Sequence, residues 1–126
     1  MLPHTFADDK LGTLGTGLQG YIDDVPYEAL VKIFGEPNGE TDGYKIDALW
    51  ILRTPVGVAT IYNYKTGKNY LGKEGIPVKE IKYWQVGGAR RAVVLYVVET
   101  ITNWLKGTLV LNEEEAKKEL KKLLTK

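Results

Sequence analysis

Ile81–Leu105, IKYWQVGGARRAVVLYVVETITNWL, holds most of the apolar mass of the chain, and the remaining residues read as material arranged to cover it. Ile81, Tyr83 and Gln85 alternate with Lys82, Trp84 and Val86, the period-2 pattern of a strand. Gly87-Gly88 then punctuates the chain, and from Ala89 the apolar residues recur with a period near 3.6. The stretch predicts a strand over 79–86, a tight turn at the two glycines and a helix from Ala89 to Lys106 that stops at Gly107. Val94, Val97, Ile101, Trp104 and Leu105 form one stripe of that helix, and Val93, Tyr96 and Val98 make the opposite side apolar as well. A helix apolar on most of its circumference is covered on two sides, one by the sheet and the other by a second helix or another subunit. The valines also favour strands, so a buried strand over residues 92–98 is the rival reading.

Outward from this centre, Asp23 and Asp24 precede Pro26 and Glu28, signals for a helix over Pro26–Phe34. Ala29, Leu30, Ile33 and Phe34 are its apolar stripe, Gly35 its C-cap and Pro37 its stop. Tyr44, Ile46, Ala48, Trp50 and Leu52 alternate on one face of a strand over 44–53. Thr54-Pro55-Val56-Gly57 suits a type I turn, and Val58–Tyr64 returns as the partner strand of a hairpin. Gly17–Ile22 reads as a first strand after an irregular arm over residues 1–16. Thr108–Leu111 reads as a short edge strand, and residues 112–125 as a C-terminal helix with a capping box at Asn112 and Glu115 and a stripe of Ala116, Leu120, Leu123 and Leu124. This order predicts one α+β domain over residues 1–126, an antiparallel sheet of three to five strands with helices packed on one face.

Composition excludes more than it assigns. At 126 residues the chain builds one core without disulfides or metal, and 44% hydrophobic with 26% charged residues is ordinary for a globular protein. The run Ala92–Val98 is about a third of the roughly 20 residues that span a bilayer. The N-terminus lacks a basic, then apolar, leader, so a cytoplasmic location without membrane contact is expected. There is no cysteine, no serine, and a single histidine, His4, in the arm. Nucleophilic triads and Cys/His zinc sites therefore cannot be assembled within this chain. Asp23, Asp24 and Glu28 resemble a carboxylate set for acid–base or Mg chemistry, but helix capping explains them without chemistry. No cofactor, metal site or catalytic residue is read, and a non-enzymatic role is expected. The absence of serine, together with the regular Glu/Lys pattern of the tail, also suits an engineered or strongly biased sequence.

Charge is uneven. Residues 1–60 carry nine acids and four bases, whereas 61–106 carry three acids and eight bases. Inside the basic block, Tyr62, Tyr64, Lys65, Lys68 and Tyr70 interleave rings with cations, a pattern that stacks on bases while neutralising phosphates. The plainer reading is a hairpin with half-buried tyrosines and a solvated lysine turn. Gly87, Gly88, Arg90 and Arg91, at a helix start, suit a phosphate or carboxylate, although they lack the spacing of a dinucleotide or P-loop site. The plainer reading there is a strand-to-helix turn with solvated arginines.

LQGYIDDVPYEALVKIFGEPNGETDGYKIDALW (18–50) and ATIYNYKTGKNYLGKEG (59–75) resemble small uncharacterised accessory proteins of tailed bacteriophages, over roughly residues 18–88. FGEP after the helix and TIYNYKTGKNYLG after the hairpin carry the resemblance. It implies an accessory factor that binds a host or defence component, with no catalytic residues to carry over; the apolar central helix and the tail fit that pattern poorly and suit redesign on a natural scaffold. The expected function is thus a binding or interaction domain for an anionic ligand, nucleic acid or host protein. A self-assembling scaffold, a homo-oligomer through the central or last helix, is the alternative, and an enzyme on a phosphorylated small molecule ranks below both.

Overall fold

A computed structural model of the chain describes residues 4–8, 10–13 and 15–107. The elements are β1 (Phe6–Ala7), β2 (Gly17–Ile22), α1 (Tyr27–Phe34), β3 (Leu49–Thr54), β4 (Gly57–Tyr62), α2 (Lys68–Leu71), β5 (Trp84–Gly88) and α3 (Ala92–Leu105), with single 3-10 turns at Gly72–Glu74 and Val78–Glu80. The five strands form one antiparallel sheet in the order β1-β3-β4-β5-β2. The α+β architecture with helices on one face of the sheet is therefore the observed one. The strand read over 108–111 and the helix read over 112–125 lie outside the described residues.

The covered face is set by alternation. Trp50, Leu52, Ile61, Trp84 and Val86 point into the core with Ile22, and α1 adds Ala29, Leu30 and Phe34 while α3 adds Val93, Val97 and Ile101. Both tryptophans are fully buried and meet edge to face at 5.3 Å. Each indole N–H finds an acceptor, Trp50 donating to the Gly35 carbonyl and Trp84 to that of Val25, both at 2.8 Å. A buried ring with a satisfied polar tip adds area at no desolvation cost.

Several boundaries differ from the sequence reading, each for a local reason. The strand expected over 44–53 begins only at Leu49, because side chains take the preceding amides. Asp42 Oδ1 accepts from the N–H groups of Tyr44, Lys45 and Ile46, and Asn63 Oδ1 from those of Asp47 and Ala48. Side-chain acceptors of this kind compete with a sheet ladder. Asn63 likewise ends β4 at Tyr62 rather than Tyr64. Asp23 and Asp24 do not cap α1: its N-cap is Pro26, with no side-chain cap bond. The residue before proline is driven extended, so the helix starts too late for either carboxylate. Asp23 Oδ1 instead accepts from the N–H of Asp24, whose φ of 58° makes the turn out of β2.

The strand expected over 79–86 is shorter and later, since Val78–Glu80 is a 3-10 turn. Gly87 and Gly88 are not a turn; they belong to β5, and neither has a positive φ. A Cβ on Gly87 would lie 2.5 Å from Thr60 Oγ1, and one on Gly88 would lie 2.5 Å from Val93 Cγ2. Close packing, not chain reversal, requires the glycines. Residues 92–98 are helix, which removes the rival strand, and α3 begins at Ala92 rather than Ala89. The arm is not wholly irregular: β1 pairs with β3, and Arg53 Nε donates to Asp8 Oδ2 at 3.0 Å. His4 is not a free tail residue, because its ring meets Tyr96 of α3 edge to face at 5.1 Å.

Candidate functional site

Among the described residues, the second face of the sheet carries no helix. Cross-strand register places Leu49, Tyr62, Gln85 and Tyr21 in one row on it, and Ile51, Thr60, Gly87 and Leu18 in the next. Since Trp84 points inward, Tyr83 must point outward, and its ring stacks on Tyr21 at 5.6 Å. Burial, then the neighbouring Tyr21 and Tyr64 phenols, pushes the Tyr62 hydroxyl above its ordinary pKa. Beyond Tyr62, the Lys65 ammonium lies 5.3 Å from the Tyr64 ring centre and 5.5 Å from that of Tyr70. Tyr70 in turn meets Tyr44 edge to face at 5.1 Å. Six of the eight tyrosines thus form one strip, Tyr83, Tyr21, Tyr62, Tyr64, Tyr70 and Tyr44, and all but Tyr62 are exposed.

A polar knot holds the basic end of this strip. Asn63 Nδ2 donates to Asp47 Oδ1 at 2.9 Å, the N–H of Asn69 donates to Asp47 Oδ2, and Asn69 Nδ2 donates to the Ile46 carbonyl. A Cβ on Gly67 would overlap the Asp47 carboxylate, so glycine lets α2 close onto the knot. The N–H of Lys65 donates to the Lys45 carbonyl at 2.8 Å, and Lys65 itself has φ of 60°, a left-handed backbone unusual for a side chain of its size. No carboxylate among the described residues lies within ion-pair distance of it. At the other end the charge is reversed. Partial desolvation, followed by Tyr21 and the Asp23 carboxylate, raises the Tyr83 hydroxyl.

No protein-family model, curated protein or solved structure matches this chain.

Against the sequence reading, Tyr62, Tyr64, Lys65, Tyr70 and Gly87 come together on the open face. Lys68 stands exposed beside them at the start of α2. Gly88, Arg90 and Arg91 do not join them. Gly88 faces Val93, its carbonyl accepting from Gln19 Nε2, and Arg91 borders a separate groove of about 440 Å³ with Gln19, Gly20 and Leu95. The bases of the middle segment are accordingly not all on one surface: Lys65 lies over the Tyr64 ring, Arg91 borders the groove beside α3, and Lys79 lies beside Tyr27 and Glu28 of α1. Tyr21, Tyr44, Tyr83 and Thr60 were not read as site residues. Tyr83 was within reach, since the inward position of Trp84 dictates it; Tyr44 and Tyr21 depend on loop closure and strand order. Among the described residues, no group of three His, Asp or Glu side chains gathers closely enough to hold a metal ion, and no helix is long and apolar enough to cross a membrane.

Beneath the strip lies a cleft of about 280 Å³ lined by Thr13, Thr16, Gly17, Ile46, Leu49, Thr60, Tyr62, Tyr64 and Gly87. None of these side chains is charged. Thr60 Oγ1 and the hydroxyls of Tyr62 and Tyr64 put polar atoms among this lining.

Proposed function

We propose that the protein is a non-enzymatic binding module whose contact surface is the tyrosine strip on the open sheet face. The observation that carries this reading is the pair of ring contacts along the open face, Tyr83 on Tyr21 at 5.6 Å and Tyr70 on Tyr44 at 5.1 Å, with Lys65 held between the Tyr64 and Tyr70 rings. Tyrosine brings a large, stiff, amphipathic contact area at low conformational cost, which is why it dominates recognition surfaces. A protein partner suits the strip better than a nucleic acid. A polyanionic strand running along the tyrosines would meet Asp23 and Asp24 at one end, whereas a partner of mixed charge can match both ends. This agrees with what the phage resemblance of residues 18–88 implies, an accessory factor acting on a host protein in the cytoplasm. An enzyme on a phosphorylated substrate is disfavoured, since the arginines and the Tyr/Lys cluster it would use stand apart.

Panning a random peptide library against the immobilised protein tests the reading. Enriched peptides should perturb the backbone amides of Tyr21, Tyr62, Tyr64 and Tyr70 in 15N spectra, and Tyr21→Ala with Tyr64→Ala should abolish the effect. Enrichment that maps to the helical face, or tight salt-dependent binding of single-stranded oligonucleotides to the strip, would overturn it.

A second reading, self-assembly, is favoured by α3. Val93 and Val97 are buried, yet Leu95 is 71%, Leu105 66% and Val98 42% exposed, an apolar ridge that neither the sheet nor α1 covers. A symmetric homodimer that pairs two such ridges would hide them. Sedimentation at high micromolar concentration decides: a dimer that Leu95→Glu dissociates supports this reading, and a strictly monomeric parent ends it.

A further inference from the structure

The cleft under the strip is sized for part of a partner. At about 280 Å³ it has room for a single large side chain. Its floor is Thr60 and Gly87, a cross-strand pair. Gly87 keeps that floor low, because a Cβ there would strike Thr60 Oγ1 and close on the Tyr62 ring. The walls are apolar or aromatic, Leu49 and Ile46 on one side and Tyr62 and Tyr64 on the other. With no charge among the described lining residues, an ionic group entering would lose its hydration without compensation from them. The lining nevertheless includes the hydroxyl-bearing side chains of Thr60, Tyr62 and Tyr64, which a purely aliphatic occupant could not hydrogen-bond. A flat ring with a polar tip satisfies both conditions. At the rim, the Lys65 ammonium sits over Tyr64 without a carboxylate partner among the described residues, on a backbone conformation that glycine would adopt with less strain. A lysine kept at a left-handed position, unpaired and aimed over the cleft wall, points to an anion supplied from outside.

We infer that the cleft seats one tryptophan or tyrosine side chain of a protein partner, while a carboxylate next to that residue in the partner's chain docks on Lys65. The inference rests on the strip being the contact surface and adds the identity of the anchor. Thr60 and Gly87 form the seat, Tyr62 and Tyr64 clasp the ring, and Lys65 sets the charge of the flanking residue.

The test uses three tripeptides as probes on the full chain, followed by 15N spectra: acetyl-Glu-Trp-Glu-amide, acetyl-Glu-Ala-Glu-amide and acetyl-Lys-Trp-Lys-amide. The first should shift the amides of Thr60, Gly87 and Gly17 saturably, and the second should leave them in place. The third should bind roughly two- to fivefold more weakly than the first, the size of one exposed charge pair, and Lys65→Gly should erase that preference. Thr13→Trp, which fills the cleft from its exposed rim, should remove the response to the first probe while thermal melting is retained. Equal shifts with the alanine probe, or shifts of Tyr21, Tyr64 and Tyr70 that leave Thr60 and Gly87 unmoved, would overturn the anchor and leave the strip standing as a contact surface. A response nowhere on the open face, together with no enrichment in library panning, would remove both readings. A stronger response of Thr60 and Gly87 to an oligothymidylate than to any peptide would replace the protein partner with a nucleic acid.

Discussion

At the scale of single residues, Lys65 is where local preference and position conflict most openly. Its φ of 60° costs a residue with a Cβ on the order of 1 kcal/mol, and no ion pair among the described residues offsets it. Lys65→Gly relieves that strain, although glycine's larger freedom in the unfolded chain takes back part of the gain. The variant should melt at or slightly above the parent temperature and yet lose affinity for acidic peptides; a clear drop in melting temperature would mean that the lysine serves the fold. Tyr62 gives a pH-dependent counterpart. Burial first, then Tyr21 and Tyr64, favours its neutral phenol, so its folded-state pKa lies above the unfolded one. The resulting stability is complete below the ordinary phenol value and is lost as pH rises through the folded value. Tyrosinate absorbance should therefore show a Tyr62 step above the ordinary phenol value. Tyr21→Phe with Tyr64→Phe should bring that step part of the way back, and an unchanged step would show that burial alone raises it.

At the scale of elements, β5 and α3 approach closely at Gly88 and Val93. Gly88→Ala would place a Cβ 2.5 Å from Val93 Cγ2 and 3.0 Å from the Val58 carbonyl oxygen, and overpacking of this kind typically costs about 1–3 kcal/mol. Val93→Ala removes one of the two obstacles. The double variant should therefore be less destabilised than the sum of the single ones in denaturant melts; simple additivity would show that the Val58 carbonyl, not the helix, sets the limit. The same joint shows what was legible in the chain. The alternation of Trp84 and Val86, the core stripe of α1 and the two-residue hairpin turn at Pro55-Val56 all follow from local pattern and were read correctly. Gly87-Gly88 was read as a turn, because a glycine needed for close approach and one needed for a positive φ look alike until the facing residues, Thr60 and Val93, are known. The early end of the strand read over 44–53 was hidden for the same kind of reason, since Asn63 takes the Asp47 and Ala48 amides from 15 residues away or more. Of the candidate site, the hairpin tyrosines and Lys65 were visible as a local cluster. Tyr21 and Tyr83 join them only through the pairing of β2 with β5.

At the scale of the whole molecule, the sheet divides the chain's aromatic residues by task. The helix-covered face holds Trp50 and Trp84, both fully buried with their indole N–H groups bonded to main-chain carbonyls. The open face holds six of the eight tyrosines, five of them exposed, while Tyr27 packs beside both tryptophans and Tyr96 lies on α3. Residues 83 and 84, adjacent in sequence, fall on opposite sides of this division and should behave oppositely when truncated. Trp84→Ala removes a buried indole, opens a cavity against Trp50 and leaves the Val25 carbonyl without its donor. Losses of about 3–5 kcal/mol are usual for such a change, a large part of the roughly 5–15 kcal/mol that holds a small domain together. Tyr83→Ala removes a ring that is 44% exposed and stacked only on Tyr21, so the fold should lose little. Binding reverses the order: Trp84→Phe, which keeps most of the packing, should hold full affinity for a panned peptide at a temperature where it stays folded, whereas Tyr83→Ala should weaken it. Melting curves and peptide titrations on these variants settle the division. A Tyr83→Ala protein that melts far below its parent, or a Trp84→Ala protein that melts with it, would show that the open face carries stability as well and is not reserved for a partner.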